Sequence, residues 1–357
     1  MSPMMSLMRE AERPEHMNPR ELYIGVDVHE KESQIAVYEP DGGLMEEKRL
    51  PTEKLPAFIA SLPGEKHVGL EAIGFIYPVY DALAEAGCDV AVANPHNIQL
   101  IARTRIKHDK VDARVLGELL RTNFFPRSHI PDAETREKRL LVKDRVKYGV
   151  RRADLKNSVK WLLKRRGLTV KSPFGGEGRE RLRSLGLKEV EYRLRELELV
   201  DSIIEALDRR IHFAASRDRG ARLLDTIPGV GPYTALYLST ALDAVERFPG
   251  SKHACAHTGL VPGLHQSGDK TILGHITRQG DRWLRRNLVE CARWAVRKDP
   301  HLREFYLRVK HRKGGKRALV AVARKLVSYA YWMLKRDQTY EELSPWKTDW
   351  GSSPKLE

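Results

Sequence analysis

Four carboxylates and one serine are the residues whose types and spacing could do chemistry. Asp27 closes the apolar run Ile24-Gly25-Val26, Glu71 follows Val68-Gly69-Leu70 in the same way, and Asp109 and Asp112 stand three apart at an expected helix start. A charge at the end of an apolar run is costly unless it finds a partner or a cation. A three-residue spacing sets two side chains on one helical face. Strand-end carboxylates on neighbouring strands converge, so the four can gather around two divalent cations. Hard cations take oxygen ligands, and a pair of them stabilises both the entering and the leaving oxygen of a phosphodiester displacement. Magnesium is the expected metal, with manganese as a substitute. Taken singly, a strand-end Asp is a turn former and aspartates at a helix start are caps; weight comes from four in order within a basic chain. His29 and His108 flank the set, as proton carriers or as plain surface residues.

Ser267 lies in Gln266-Ser267-Gly268-Asp269-Lys270, with Arg278, Arg282, Arg285 and Arg286 following. A hydroxyl near guanidinium groups can attack phosphorus, because the cations stabilise the alkoxide and the charge that develops. By composition alone, a serine beside glycine is a turn residue. Upstream, Ile227-Pro228-Gly229-Val230-Gly231-Pro232 joins two helical patterns. That is a helix-hairpin-helix signature, in which Gly229 and Gly231 let backbone N–H groups approach a phosphate; a plain helix connection with Gly and Pro punctuation is the alternative. Lys270 with the four arginines, and Arg105, Lys107 and Lys110 beside the aspartate pair, are the expected nucleic-acid contacts. Arg308 to Lys325 forms a further basic stretch leading into a helix expected at Ala318 to Leu334.

The chain carries 63 Lys and Arg against 48 Asp and Glu, a formal charge of +15, and much of it is clustered, as in Lys164-Arg165-Arg166. Clustered positive charge calls for a polyanion. Cys88, Cys255 and Cys291 are far apart, without the spacing of a zinc site or a disulfide framework. No signal peptide or membrane span is expected, so the reading is cytoplasmic and nucleoid-associated, with no membrane partner.

Positioning these residues requires several regions. Residues 1–20 read as a tail. Residues 21–130 show strands at Leu22 to Val28, Gln34 to Tyr38, Val68 to Leu70 and Val90 to Ala93, with helices at Leu55 to Leu62 and Tyr77 to Ala86. That is an α/β sheet of mixed strand direction. Residues 131–218 carry long helices, Glu134 to Arg166 and Leu187 to Ala215, joined by a loop at Lys171 to Gly178. Val190, Leu197, Ile204 and Ile211 recur every seven residues, as in a coiled coil, with Asp201 and Asp208 interrupting. Residues 219–344 are mostly α, and 345–357 form a second tail.

From about Tyr23 to about Arg336 these motifs resemble the DEDD transposases of the insertion sequence 110 family, which are bridge-RNA-guided recombinases. The resemblance rests on Asp27; on Glu71 with Gly74 and Tyr77; on Lys107-His108-Asp109-Lys110-Val111-Asp112-Ala113; and on Gly259, Pro262, Gln266-Ser267-Gly268, Gly274-His275-Ile276 and Gly280. Ile73 departs from the small or hydroxylated residue expected there. The resemblance implies a RuvC-like, RNase H-like N-terminal domain and a coiled-coil dimerisation region, with homodimers assembling to a tetramer. It also implies a structured noncoding bridge RNA pairing with donor and target DNA, and Ser267 as the catalytic serine. The expected reaction is magnesium-dependent strand exchange through a phosphoserine-DNA ester, which conserves bond energy and needs no ATP. The rival enzyme is a metal-dependent RuvC-like junction endonuclease using water. Rivals from other classes are an actin-like kinase, faintly resembled at Gly25-Val26-Asp27, and a non-catalytic nucleic-acid scaffold.

Overall fold

The computed structural model describes residues 21–101, 109–267, 270–278 and 280–343, with side-chain placement at all of these except 99, 109–111, 264–267 and 270–273. Arg105, Lys107, His108 and both tails lie outside the described residues. The chain divides into two compact units, Met1–Ile130 and Pro131–Glu357.

In the first unit, β1 (Glu21–Asp27), β2 (Glu32–Tyr38) and β3 (Leu44–Pro51) form an antiparallel meander. After α1 (Leu55–Ser61), β4 (Glu65–Glu71) pairs parallel to β1; after α2 (Ile76–Glu85), β5 (Asp89–Ala93) pairs parallel to β4. Among the described residues the sheet order is β3-β2-β1-β4-β5. Strand alternation sends Leu22, Ile24, Val26, Ile35, Val37, Val68 and Leu70 to one face, where Leu55 and Ile59 of α1 and Ile76 and Leu83 of α2 complete a core. Beyond β5 come α3 (Pro95–Ile101) and α4 (Asp109–Arg121). α4 covers the other face, with Ala113 on Ala36 and Tyr38, and Leu116 and Leu120 on Ala91 and Ala93. β3 was not among the expected strands, because Leu-Met-Glu-Glu-Lys-Arg-Leu-Pro has no apolar alternation; its charges suit an edge strand.

The second unit opens with α5 (Ala133–Arg165), capped by Asp132, whose carboxylate accepts from the Thr135 amide at 2.7 Å. Then come α6 (Gly176–Ser184) and α7 (Lys188–Arg217). The expected loop at Lys171 to Gly178 runs into α6, a short helix between the two long ones. Val190, Leu197, Ile204 and Ile211 are buried. The interrupting aspartates are paired: Asp208 accepts from Arg145 of α5 at 2.7 Å, and Asp201 from Arg179 of α6 at 2.6 Å. A further core gathers α8 (Arg219–Asp225), α9 (Pro232–Ala241), α10 (Ser251–His257), the hairpin β6 (Pro262–Ser267) and β7 (Lys270–Ile276), α11 (Arg282–Lys298), α12 (Pro300–Lys313), α13 (Gly315–Arg336) and α14 (Tyr340–Leu343). Its buried residues include Val142 and Ile211 of the long helices. The basic stretch at Arg308 to Lys325 is broken by Gly314, φ +80°, and so divides between α12 and α13. Among the described residues no helix is long and apolar enough to cross a membrane.

Candidate active site

Asp27 and Glu71 each stand one residue beyond the paired Val26 and Leu70, at the carboxyl ends of adjacent parallel strands. They share a sheet face by strand parity, and both are partly buried. The same face carries Gly25 and Gly69, and the absence of side chains there lets α4 approach. A Cβ on Gly25 would fall 2.0 Å from the Ala113 carbonyl oxygen and 2.3 Å from the Gly117 nitrogen; one on Gly69 would fall 2.9 Å from the Phe125 ring and 3.4 Å from the Leu116 carbonyl oxygen. Backbone lies nearly on backbone.

Two arginines fix the direction of α4. Arg121, in its last turn, donates to the Pro40 carbonyl in the β2–β3 turn at 3.3 Å. Arg114 makes a bidentate pair with Glu47, both bonds 2.8 Å, and Glu47 is in register with Ala36. The helix therefore runs against β1, and its first turn reaches the level of Asp27. Four helical residues and two strand residues each advance about 6 Å, so stepping from Ala113 to Asp109 matches stepping from Gly25 to Asp27. Asp112, one turn before the sheet-facing Leu116, is partly buried at that edge; the backbone of Asp109 opens the same turn, and its side chain lies outside the described set, as does that of Lys110.

His29 Nε2 lies 3.1 Å from Asp27 Oδ2. Its loop is fastened by Thr52, whose hydroxyl donates to the His29 carbonyl at 2.7 Å and lies 2.8 Å from the Ser33 hydroxyl. Gln34, which the sequence reading passed over, is the register partner of Asp27 and is 3% exposed, and its Nε2 has no hydrogen-bond partner among the described residues. Ile73 packs onto the adjoining core, which accommodates its departure from the expected small residue.

Another acidic group lies at the opposite edge of the sheet. Ligand atoms of Glu21, Glu65 and His67 lie within 4.8 Å of one another. Glu21 accepts from the Tyr23 hydroxyl at 2.8 Å, and His67 Nδ1 lies 2.9 Å from Asp89. The Arg127 guanidinium beside Asp89 holds that carboxyl down at about 2.

In the second unit Ser267 ends β6, paired across the hairpin with Lys270; their side chains, and residues 268 and 269, lie outside the described set. Arg282 and Arg286 are exposed and both lie over Trp283, at 4.9 and 5.6 Å from its ring. Arg278 is exposed with φ +58°. Arg285 is half-buried and donates to the Thr258 carbonyl at 3.3 Å, and burial pushes its pKa down. Gly229, φ +87°, faces α11: a Cβ there would meet the Ala295 nitrogen at 2.6 Å and the Cys291 carbonyl oxygen at 2.9 Å. Gly231 is open and leads α9 without a side-chain cap. Exposed Trp294 under Arg297, 5.1 Å away, was a further aromatic and cation pair readable from the sequence but not singled out.

Two family models match this chain: a transposase model of the DEDD group of IS110 elements over residues 24–166, and one described as transposase IS116/IS110/IS902 family over residues 221–307. The chain belongs to the IS110 family of transposases. The first match contains the acid edge of this family member and the second contains Ser267. It is 25% identical over 336 residues to the transposase for insertion sequence element IS1111A of Coxiella burnetii, covering 89% of this chain and 90% of that protein. It is 27% identical over 288 residues to the transposase for element IS1328 of Yersinia enterocolitica, covering 77% and 84%. Over 128 residues, 34% of this chain and 39% of the relative, it is 28% identical to a pilin gene-inverting protein of Moraxella bovis.

Proposed function

We propose that this transposase, a DNA recombinase by its family, exchanges strands with an acid edge formed by Asp27, Glu71, Asp109 and Asp112 and a nucleophile, Ser267. The observation that carries the reading is the in-register pairing of β1 and β4, which end in Asp27 and Glu71, on the face where Gly25 admits α4 at Ala113 and Gly117, just beyond the turn that carries Asp109 and Asp112. A sheet in the order β3-β2-β1-β4-β5, with β2 alone antiparallel to both its neighbours, supports an RNase H-like, RuvC-like assignment. The donor set is carboxylate oxygen, which fits magnesium or manganese; such ions would be held by the four acids and would supply charge stabilisation at the phosphate.

Ser267 Oγ attacks phosphorus, the P–O bond to the sugar breaks, and the departing sugar oxygen takes up a proton. The serine ester keeps the bond energy for rejoining to a second strand. Ser267 reaches the acids of its own chain or of another protomer in a dimer or tetramer built through α5 and α7. Arg282 and Arg286 around Trp283, Arg278, Lys270, and the open Gly231 at the start of α9 contact the nucleic-acid backbone, the last as a helix-hairpin-helix. Gly229 is required by its packing on α11 and contributes the turn rather than the contact. A structured bridge RNA selects donor and target DNA, and the protein acts in the cytoplasm at the nucleoid.

The deciding test is trapping of a protein-DNA adduct under denaturing conditions in magnesium. Wild type should give the adduct, and Ser267→Ala should give none while still binding DNA. Strand cleavage by Ser267→Ala would assign attack to water and make the protein a junction endonuclease. Sequencing of co-purifying RNA tests the guide: a single structured species supports it, and random fragments refute it.

A further inference from the structure

The face of β2 under α4 carries Gln34, Ala36 and Tyr38. Ala36 and Tyr38 pack against Ala113. Gln34 is as buried as they are, yet it brings a side-chain N–H with no acceptor among the described residues. Burying an amide donor without a bond is unfavourable, and native interiors satisfy nearly all such groups. A methionine or leucine would fill the same space at no such cost. A buried donor retained without an acceptor points to an acceptor that arrives during function.

Asp27 is the nearest acid by register, because directly opposed residues of an antiparallel pair share a face with Cβ atoms about 5 Å apart. A glutamine side chain spans that gap. As the structure stands, Asp27 Oδ2 faces His29. We propose that Gln34 is a positioning residue for Asp27: with a divalent cation held at the acid edge, the Gln34 amide would donate to a carboxylate oxygen of Asp27 and hold that carboxylate in its ligating orientation. The role rests on the reading of Asp27 as a metal ligand. Hydrogen bonds to ligating carboxylates set their orientation and basicity, and losing one typically weakens metal affinity about 10- to 100-fold.

The test uses the full chain without nucleic acid, titrated with Mn2+ while free Mn2+ is counted by its EPR signal, and thermal melting without metal. Wild type, Gln34→Met, Gln34→Asn and Asp27→Asn are compared. Gln34→Met should melt at or above the wild-type midpoint, since an unmade bond is removed, and should bind Mn2+ about tenfold more weakly. Gln34→Asn, which keeps a donor, should fall between the two. Wild-type affinity in Gln34→Met, with binding lost in Asp27→Asn, would make Gln34 a core filler and end the proposal. A lower melting midpoint or failure to fold in Gln34→Met would reveal a structural partner for the amide and also end it. Equal Mn2+ binding in wild type and Asp27→Asn would instead overturn the acid-site reading itself.

Discussion

Substituting Gly25 with alanine tests whether the acid edge is built by backbone contact. The added Cβ would sit 2.0 Å from the Ala113 carbonyl oxygen, against an ordinary contact of about 3.4 Å, so α4 must move off β1 by about 1.4 Å. Both opposing atoms, Ala113 O and Gly117 N, are backbone, so no side-chain rotation relieves the clash. Overpacking costs about 1–3 kcal/mol, and a rigid helix puts this case at the upper end. The displaced element is the one that carries Asp109 and Asp112. A misplacement of about 1 Å in a catalytic constellation can cost about 100-fold in rate. Melting followed by circular dichroism and magnesium-dependent adduct formation should both fall. Gly74→Ala is the steric control: nothing lies within 4 Å of its Cβ position, and its melting should match wild type. A Gly25→Ala protein with wild-type melting and adduct yield would refute the seam.

Asp89 is held down at about 2 by Arg127, so the pair contributes stability above the ordinary carboxylate value of 3.8 and loses it as pH falls toward 2. Urea melts of wild type and Asp89→Asn should differ modestly at pH 7 and converge near pH 2; a gap that persists at pH 2 would contradict the assignment. Asp299 is buried, caps α12 through the Leu302 amide at 2.8 Å and accepts from the Tyr340 hydroxyl at 2.9 Å. Loss of the cap and of a buried bond in Asp299→Ala should cost about 2–4 kcal/mol in chemical denaturation, and a change under about 1 kcal/mol would show that water replaces both. Replacing Arg282 and Arg286 together with glutamine should weaken DNA binding and flatten the slope of log K against log salt by about 1.8, at about 0.9 per phosphate contact; an unchanged slope would place the DNA elsewhere.

What the sequence made legible follows from period and length. β1 and β4 are readable because apolar runs stop at a single acid, α7 because seven-residue recurrence persists from Val190 to Ile211, and α5 as a long charged stretch without strand-like alternation. Asp201 and Asp208 looked like interruptions because their arginine partners come from other helices, which spacing along one helix cannot reveal. β3 was hidden by its charges, and the β6–β7 hairpin by Gly, Ser and Asp residues that read as loop. Gly25 read as part of an apolar run, although its contacts with Ala113 and Gly117 lie about 90 positions away in the chain. Gln34 sits at the start of an expected strand, where a polar residue ordinarily faces water, yet it lies on the β2 face that also carries Ala36 and Tyr38 and is buried. Local pattern thus exposes the elements and their terminal acids, while the contacts that aim those acids are long-range.

Under the proposed reaction the acids and the serine are held by different kinds of structure. Asp27, Glu71 and Asp112 sit on a strand end, a strand end and a helix turn, all locked to one another by backbone contact. Ser267 is carried by β6, which among the described residues pairs only with β7, and a two-stranded hairpin has little stability of its own. Its orientation is therefore set at its base, where the Thr277 amide donates to the Val261 carbonyl at 2.9 Å and Gly280, φ +70°, crosses the end of α10. A Cβ on Gly280 would meet the His257 carbonyl oxygen at 2.2 Å. Gly280→Ala is doubly disfavoured, by that clash and by its positive φ, and should swing the hairpin base off α10. Covalent adduct should be lost while Mn2+ binding, which the proposed reaction assigns to the acids of the first unit, should stay at the wild-type level. Adduct formation at the wild-type rate would mean that the base of the hairpin does not aim the serine, and weaker Mn2+ binding would mean that the two functions are not carried separately.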